Sequence, residues 1–248
     1  MKTRLDKLLV ERGLTPSRER AQALILAGKV LVNEQKIEKA GAAIDSAATL
    51  RLLGEDLRYV SRGGLKLEKA LEHWRIDLHG KTCLDVGAST GGFSDCMLQH
   101  GAAKVIAVDT GYGQMDFGLR NDPRIRLLEK TNARYIEPGD VGEPIDFIAM
   151  DVSFISATLV LPAVMRAVSS CPRIVVLVKP QFEAGRELVG KGGIVRDEPA
   201  QRAAVVRVET ALLQLGCTCT EWIESPILGG EGNREFLLHA EFSPPPIR

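Results

Sequence analysis

The stretch KTCLDVGASTGGFSDCML, residues 81 to 98, combines an apolar run, a glycine-rich turn and a helical pattern. The apolar residues up to Val86 predict a buried strand, and the glycines at 87, 91 and 92 predict a loop that lets a ligand lie against the backbone. The loop is not the G-x-G-x-x-G of dinucleotide-binding folds. Asp85 lies on its strand side, and an anion there suits a cationic ligand better than a pyrophosphate. The stretch therefore predicts a strand, a ligand-binding loop and a helix.

Further apolar runs alternate with helical patterns downstream. The runs are KVIAVDTG (104–111), PIDFIAMDVSF (144–154) and PRIVVLVKP (172–180), and the helical patterns cover 158–169 and 198–215. Strands that alternate with helices require a parallel sheet that is covered on both faces.

The sequence pattern also predicts the first and the last elements of this domain. In GLKLEKALEHWRI, residues 64–76, an apolar face at spacings of three and four predicts a helix. At the other end, CTCTEWIES (217–225) and REFLLHAEF (234–242) flank a turn-rich segment and predict a terminal antiparallel hairpin.

Charged residues stand at the ends of the predicted strands. Asp109 ends one strand, where it can accept hydrogen bonds from ribose hydroxyls, Asp151 ends the next, and Lys179 ends IVVLVK. Ligands of doubly wound sheets bind beyond the carboxyl ends of the strands. A lysine can also end a strand simply because its side chain reaches water, so position alone leaves the role of Lys179 open.

A separate module precedes this domain in TRLDKLLVERGLTPSRERAQALILAGKVLVNEQKI, residues 3 to 37. Three leucines share one face of a first predicted helix, which ends at Gly13. A second predicted helix is capped by Ser17 and ends at Gly28. The alternating segment that follows bends at Asn33 and predicts a short hairpin.

Charge is distributed unevenly along the chain. The net charge is zero, but residues 1–62 carry 12 basic and 8 acidic side chains and the remainder carries 20 and 24. A basic module indicates an anionic partner. The five cysteines form no C-x-x-C pair, so core thiols are expected, with Cys217 and Cys219 on one strand face. No signal-peptide or membrane-span pattern occurs, and we expect a soluble, cytoplasmic protein.

The motifs L-D-x-x-L, S-R-x-x-A, I-x-x-G-x-V and V-N of the first module resemble the small RNA-binding domain (the alpha-L motif) of ribosomal protein S-four, tyrosyl-tRNA synthetase and pseudouridine synthases. In that family the second helix and the hairpin face RNA. The resemblance implies RNA contacts at Arg4, Ser17, Arg18, Arg20, Lys29, Asn33 and Lys36. Ser17 can instead serve only as a cap and Asn33 only as a turn residue. Arg18, Lys29 and Lys36 are the stronger candidates, because a cation that meets phosphate releases counterions.

The glycine loop and its flanking acids resemble the S-adenosylmethionine loop of class I methyltransferases, and the residues favour that assignment over a nicotinamide site. The resemblance implies a sheet order of 3-2-1-4-5-7-6 with the seventh strand antiparallel. It implies cofactor contacts at Asp85, Gly87, Ser89, Gly91, Gly92, Phe93, Asp109 and Asn132. The expected fold is therefore α/β, a class I, Rossmann-like methyltransferase sheet preceded by a small α+β alpha-L RNA-binding domain.

That strand order gives Lys179 a reason to end its strand. Strands four and five become neighbours, and strand seven begins at the same edge. With strands about 4.8 Å apart, Asp151, Lys179 and Glu235 fall within roughly 10 Å of one another. Lys66, in the first turn of the leading helix, can reach that edge. A Lys-Asp-Lys-Glu tetrad is the signature of FtsJ-like RNA ribose 2′-O-methyltransferases; an ordinary salt-bridge cluster is the alternative.

With YVSRGGLKL, DVGASTGGF, DVSFIS, VKPQFE and NREFL, the chain resembles the TlyA family over almost its full length. That family is described as rRNA 2′-O-methyltransferases acting on cytidines in 16S and 23S rRNA, and its members are also named haemolysins. The resemblance implies methyl transfer from S-adenosylmethionine to rRNA in ribosomal subunits, without membrane or metal. In LLGEDLRYVSRGG, glycine and charge replace apolar periodicity, so a linker is expected at 54–62, between domains at 1–53 and 63–248.

The expected chemistry assigns each member of the tetrad a role. Lys179 takes or orients the hydroxyl proton, and Asp151 and Glu235 position Lys179 and the sugar. Lys66 balances charge. Base methylation is disfavoured, because the fourth strand ends in DVSF rather than N/D-P-P-Y/F and the cysteine in that region, Cys171, precedes the fifth strand.

Two alternatives of other classes remain. A membrane-lytic protein would fit the haemolysin name, although the sequence offers no long apolar helix. A non-catalytic RNA-binding protein would fit the first module, although the complete tetrad and the intact cofactor loop argue against it.

Overall fold

The computed structural model describes residues 2–15, 17–53, 58–168, 172–230 and 232–242. The chain divides into two units, Met1–Leu57 and Arg58–Arg248. Cys171 and part of the predicted linker, residues 54–57, lie outside the described residues. Across the described ranges, no helix is both long enough and apolar enough to cross a membrane.

The first unit is a small α+β module. Its described elements are β1 (Lys2–Arg4), α1 (Leu5–Glu11), α2 (Arg18–Leu26), β2 (Val30–Val32), β3 (Gln35–Lys36), β4 (Ala43–Asp45) and β5 (Leu50–Leu52). β1 pairs antiparallel with β4, and β2 lies between β3 and β5 in a second antiparallel sheet. The predicted helices and hairpin are confirmed. β1, β4 and β5 were not predicted, because they have no fully buried residue and so show no buried apolar run.

Local signals explain the bounds of these elements. Ser17 Oγ accepts a hydrogen bond from Arg20 N at 3.2 Å and caps α2. The turn between β2 and β3 places Asn33 and Glu34 at φ 49° and 64°, a conformation that asparagine tolerates better than most residues. Leucines of α1 and Ile25 of α2 form a buried core with residues of β2.

The second unit contains the large sheet and its covering helices. Its described strands are β6 (Thr82–Val86), β7 (Lys104–Val108), β8 (Ile125–Leu128), β9 (Phe147–Met150), β10 (Arg173–Val178), β11 (Cys217–Glu224) and β12 (Phe236–Phe242). Its described helices are α3 (Gly63–His73), α4 (Gly92–Gln99), α5 (Phe117–Arg120), α6 (Pro138–Val141), α7 (Ala157–Ala167), α8 (Pro180–Glu183) and α9 (Glu198–Gln214). The predicted helices and the terminal hairpin are confirmed, whereas no segment had been assigned to β8.

The seven strands lie in the order β8-β7-β6-β9-β10-β12-β11. The five strands β6 to β10 all run parallel to one another. β12 runs antiparallel to both β10 and β11. This is the expected order 3-2-1-4-5-7-6 with an antiparallel seventh strand. The carboxyl ends of the parallel strands and the start of β12 therefore lie at one edge.

Each face of the sheet has its own buried core. Leu84 and Val86 of β6 pack with α7 and α9 on one face, and Cys83 of the same strand packs with α3 and α4 on the other. The alternation follows from the two-residue period of a strand. Because both faces are covered, the strands are nearly continuous apolar runs, as the sequence indicated.

One prediction about the hairpin is wrong. Cys217 and Cys219 were expected on one face as core thiols, but Cys217 is buried and Cys219 is exposed. The pairing of β11 with β12 shifts register between these two residues, so the period of two is broken at that point.

Candidate active site

A cavity of about 300 Å³ opens at the carboxyl edge of the sheet. Its lining includes Gly87 after β6, Asp109 after β7, Asn132 after β8 and Asp151 after β9. These residues come from four neighbouring strand ends, where ligands of doubly wound sheets bind. Of the eight predicted cofactor residues, the cavity is lined by Gly87, Ser89, Asp109 and Asn132.

Asp109 is held by backbone donors on both of its carboxylate oxygens. Ser89 N donates to Oδ2 at 2.7 Å, and Gly111 N donates to Oδ1 at 2.6 Å. Each oxygen keeps a second lone pair, so the carboxylate can also accept hydrogen bonds from a ligand in the cavity. An oriented anion of this kind suits a pair of ribose hydroxyls, so these residues fit the sugar of S-adenosylmethionine.

The glycines of the loop are explained mainly by protein contacts. Gly87 has φ 89°, and a Cβ there would lie 2.4 Å from the carbonyl oxygen of Asp151. A Cβ on Gly92 would lie 2.1 Å from Ser61 Oγ. Gly91, the αL residue before α4, lines neither this cavity nor the second one described below. The loop is thus glycine-rich because it packs against neighbouring backbone, and not only because a ligand approaches it.

Asp85 lies beneath the loop rather than at the cavity wall. It is fully buried, and Ser94 Oγ donates to its Oδ2 at 2.6 Å. Burial raises the pKa of Asp85 to about 7, although the hydrogen bond from Ser94 opposes the rise. Asp85 therefore lines neither this cavity nor the second one described below, and its contact with the cofactor stays a prediction.

A second cavity of about 170 Å³ adjoins the first. It is lined by Ser61, Lys66, Gly92 and Phe93, and it shares Gly87, Ser89 and Asp151 with the larger cavity. Asp151 therefore borders both spaces. A group bound in one can approach a group bound in the other at this residue.

The four tetrad residues form two ion pairs, and one member of each pair, Lys66 or Asp151, lines the smaller cavity. Lys66 Nζ lies 2.5 Å from Glu235 Oε2, and both side chains are almost fully buried. Lys179 Nζ lies 2.5 Å from Asp151 Oδ1. It also donates a hydrogen bond to Ser153 Oγ at 2.8 Å. The ion pair with Asp151 and the hydrogen bond to Ser153 together hold Lys179 Nζ beside the residue that the two cavities share.

Ser153 and Phe154 are among the site residues that the residue-level predictions missed. Ser153 contacts Lys179, as just described, and Phe154 is 92% exposed with φ 63°. Both belong to DVSFIS, which the sequence had singled out only as a motif. A serine and an aromatic residue directly after a strand-end aspartate were the available signal.

The segment 58–61 is attached to the second unit. Tyr59 is 2% exposed, and its hydroxyl donates to Glu68 Oε1 at 2.8 Å. Val60 N donates to Asp95 Oδ2 at 2.8 Å, and Ser61 lines the smaller cavity. Of this segment, Ser61 belongs to the candidate site, although the whole segment lies inside the span that was predicted as a linker.

The predicted RNA contacts in the first unit have different surroundings. Arg4 and Arg18 both donate to the buried carboxylate of Asp6, which also accepts from Gln22. The side chains of Arg4 and Arg18 stay about half exposed. Lys29, Asn33 and Lys36 are exposed, and Lys36 Nζ lies 3.1 Å from Glu38. Ser17 caps α2 and Asn33 forms the turn, so both have structural roles whether or not they contact RNA.

Comparison with known proteins covers both units. A model of the FtsJ-like methyltransferase family matches residues 59–242, and a model of the S4 domain matches residues 3–48. YqxC of Bacillus subtilis, named for rRNA methyltransferase activity, is 49% identical over 240 residues, which is 96% of this chain and 85% of that protein.

Two further similarities carry names that bear on function. The 16S/23S rRNA (cytidine-2′-O)-methyltransferase TlyA of Mycobacterium tuberculosis is 44% identical over 96% of this chain and 89% of that protein. A solved structure from Streptococcus thermophilus, named as a hemolysin, is 45% identical, with a TM-score of 0.76, and the match covers 99% of this chain and 90% of that one.

Proposed function

The chain belongs to the TlyA family of FtsJ-like methyltransferases, and on that premise we propose that it methylates a ribose 2′-hydroxyl, that of a cytidine, in 16S or 23S rRNA. The observation that carries the proposal is the pair of lysine–carboxylate contacts around a cavity that adjoins the one fitted to a nucleoside. The alternative of an ordinary salt-bridge cluster does not account for Asp151, which borders both spaces.

S-adenosylmethionine, when bound, supplies an electrophilic methyl group on a sulfonium. We assign its ribose to Asp109 and its adenosine surroundings to Ser89 and Asn132, which line the larger cavity. Asp85 supports the loop from below through Ser94. Gly91 and Gly92 shape the loop, and Phe93 belongs to the wall of the smaller cavity.

The acceptor hydroxyl lies in the smaller cavity in this mechanism. The hydroxyl must lose its proton as it is methylated, and Lys179 would take or orient that proton. Asp151 and Ser153 hold Nζ in place and stabilise the ammonium that forms. The second pair, Lys66 with Glu235, fixes a cation near the developing charge.

The first unit is proposed to dock the enzyme on rRNA within a ribosomal subunit. Half-exposed Arg4 and Arg18, together with exposed Lys29 and Lys36, supply cations for phosphate groups. Since rRNA is the substrate, the proposed site of action is the cytoplasm.

The test is the location of the methyl group and the effect of Lys179→Ala. Ribosomal subunits are incubated with radiolabelled S-adenosylmethionine, and nuclease digestion with mass spectrometry identifies the product. We expect a 2′-O-methylcytidine with the wild type and no transfer with Lys179→Ala or Lys179→Arg, since arginine does not give up a proton at working pH. Isothermal titration should show that all three proteins bind the cofactor equally.

Other results would support the alternatives. A methyl on a base would overturn the mechanism. Binding of rRNA without any transfer would favour a non-catalytic RNA-binding protein, and lysis of erythrocytes without transfer would favour the haemolysin.

A further inference from the structure

Two segments at the candidate site contact each other along their length. The loop 151–156 follows β9, and the segment 179–183 follows β10. At one end, Lys179 contacts Asp151 and Ser153. In the middle, the rings of Phe154 and Phe182 lie 5.4 Å apart. The motifs DVSFIS and VKPQFE therefore pack against each other.

Glu183 makes the contact at the other end. Its side chain is buried, with 3% exposure. Oε1 accepts from Ala157 N at 2.7 Å, and Oε2 accepts from Ser156 Oγ at 2.5 Å. Ala157 is the first residue of α7, where the helix dipole favours an anion. One carboxylate therefore ties the segment after β10 to the end of the loop after β9.

The loop needs to be held at both ends. Phe154 has φ 63°, a left-handed conformation that is strained for a bulky residue, and such a conformation persists only where the surroundings enforce it. The contacts of Lys179 hold the chain before Phe154, and those of Glu183 hold the chain after it. Releasing either end removes the reason for the loop to keep this path.

We propose that Glu183 is a positioning residue for methyl transfer. By fixing Ser156 and the start of α7, it sets the path of loop 151–156, and through Ser153 and Asp151 it sets the position of Lys179 Nζ. This rests on the proposed function, because it assumes that Lys179 acts on the acceptor hydroxyl.

Two substitutions separate positioning from charge. Glu183→Ala removes both contacts, and we expect kcat at saturating cofactor and rRNA to fall about 10- to 100-fold, as for other small misplacements of catalytic groups. The KM for rRNA should stay nearly constant. Glu183→Gln should restore most of kcat, because its amide oxygen accepts from Ala157 N and its amide nitrogen donates to Ser156 Oγ. The hydroxyl of Ser156 can then turn to Thr158 Oγ1, at 2.7 Å.

Asp146→Ala is the matched control. Asp146 Oδ2 accepts from Thr82 N at 2.9 Å and so joins the starts of β9 and β6 at the opposite edge of the sheet. This variant should lower the Tm without changing kcat. Wild-type kcat for Glu183→Ala, measured below its Tm, would overturn the proposal, and so would a Glu183→Gln variant that regains the Tm but not kcat.

A double-variant cycle adds a second readout. Because Glu183 acts partly through Ser156, the loss of kcat in the double variant Glu183→Ala/Ser156→Ala should be smaller than the product of the two single losses. Independent, additive losses would contradict the proposed path. The product of the wild-type enzyme tests the proposed function by itself, because a methyl on a base would overturn ribose methylation. The ratio of variant to wild-type kcat tests the role of Glu183.

Discussion

Two aspartates that flank the glycine loop end up in opposite surroundings. Asp109 lines the cavity and has backbone donors on both oxygens. Asp85, on β6, is instead fully buried beneath the loop. Both were predicted to contact the cofactor. Of the two, Asp109 lines the cavity and Asp85 does not, because the side chain of Asp85 is buried beneath the loop.

Removing the carboxylate of Asp109 should weaken cofactor binding. Hydrogen bonds to a charged group contribute about 1.5–3 kcal/mol, so we expect Asp109→Ala to bind S-adenosylmethionine about 10- to 150-fold more weakly in isothermal titration. Asp122→Ala is the control, since Asp122 also accepts from the backbone N–H two residues ahead, that of Arg124, but does not line the cavity. Equal affinity in the two variants would refute the assignment.

Asp85 should make stability depend on pH. Its folded pKa of about 7 exceeds the ordinary value of 3.8, so between these values the folded state binds the extra proton. Stability from this group is therefore complete below about pH 4 and is lost as pH rises to about 7, by at most about 1.4 kcal/mol per pH unit. Asp85→Asn should gain stability over the wild type between pH 5 and pH 8 in thermal unfolding. A difference that stays constant with pH would contradict this.

At the scale of elements, α1 and α2 are joined through one buried carboxylate. Asp6 of α1 accepts hydrogen bonds from Arg4, Arg18 and Gln22. The hydrogen bond from Arg4 holds the pKa of Asp6 far below its usual range, although burial opposes it. The arrangement orients the guanidinium groups of Arg4 and Arg18 while about half of each side chain stays exposed.

Asp6→Asn gives a test with two opposing expectations. Loss of a negative charge alone would strengthen RNA binding, but release of Arg4 and Arg18 should weaken it. We expect weaker binding and a salt dependence reduced by up to about 0.9 in slope for each lost phosphate contact on duplex RNA. Glu11→Gln, which removes one exposed charge from the same helix, should bind as well as the wild type or better. Equal binding by both variants would show that the network does not orient the arginines.

At the scale of the whole molecule, each unit has its own buried core. The fragment 58–248 should therefore fold and bind S-adenosylmethionine like the full chain, while methylation of ribosomal subunits falls sharply because the docking module is absent. Circular dichroism, isothermal titration and methyl incorporation measure the three properties. Full-length rates of methylation by the fragment would show that the first unit does not dock the RNA.

The sequence determined the elements and their order more fully than their contacts. Apolar periods predicted the helices α3, α7 and α9 and the strands β6, β7, β9, β10, β11 and β12, since side-chain period is a local property. It also placed Asp109, Asp151 and Lys179 at strand ends. β8 is only partly buried and contains Arg126, and β1, β4 and β5 have no fully buried residue, so none of these strands shows a buried apolar run. The register shift between Cys217 and Cys219 depends on the partner strand.

Only the tertiary structure decided which atoms meet. Lys66 pairs with Glu235 from 169 positions away, and Lys179 shares its ammonium between Asp151 and Ser153. It also buried Asp85 and placed Gly92 against Ser61 Oγ. The physical reason is that the period of a strand says which residues reach an edge. The distance between two side chains there depends on strand register, on the rotation of α3 and on loop paths such as 151–156, which packing between distant segments sets.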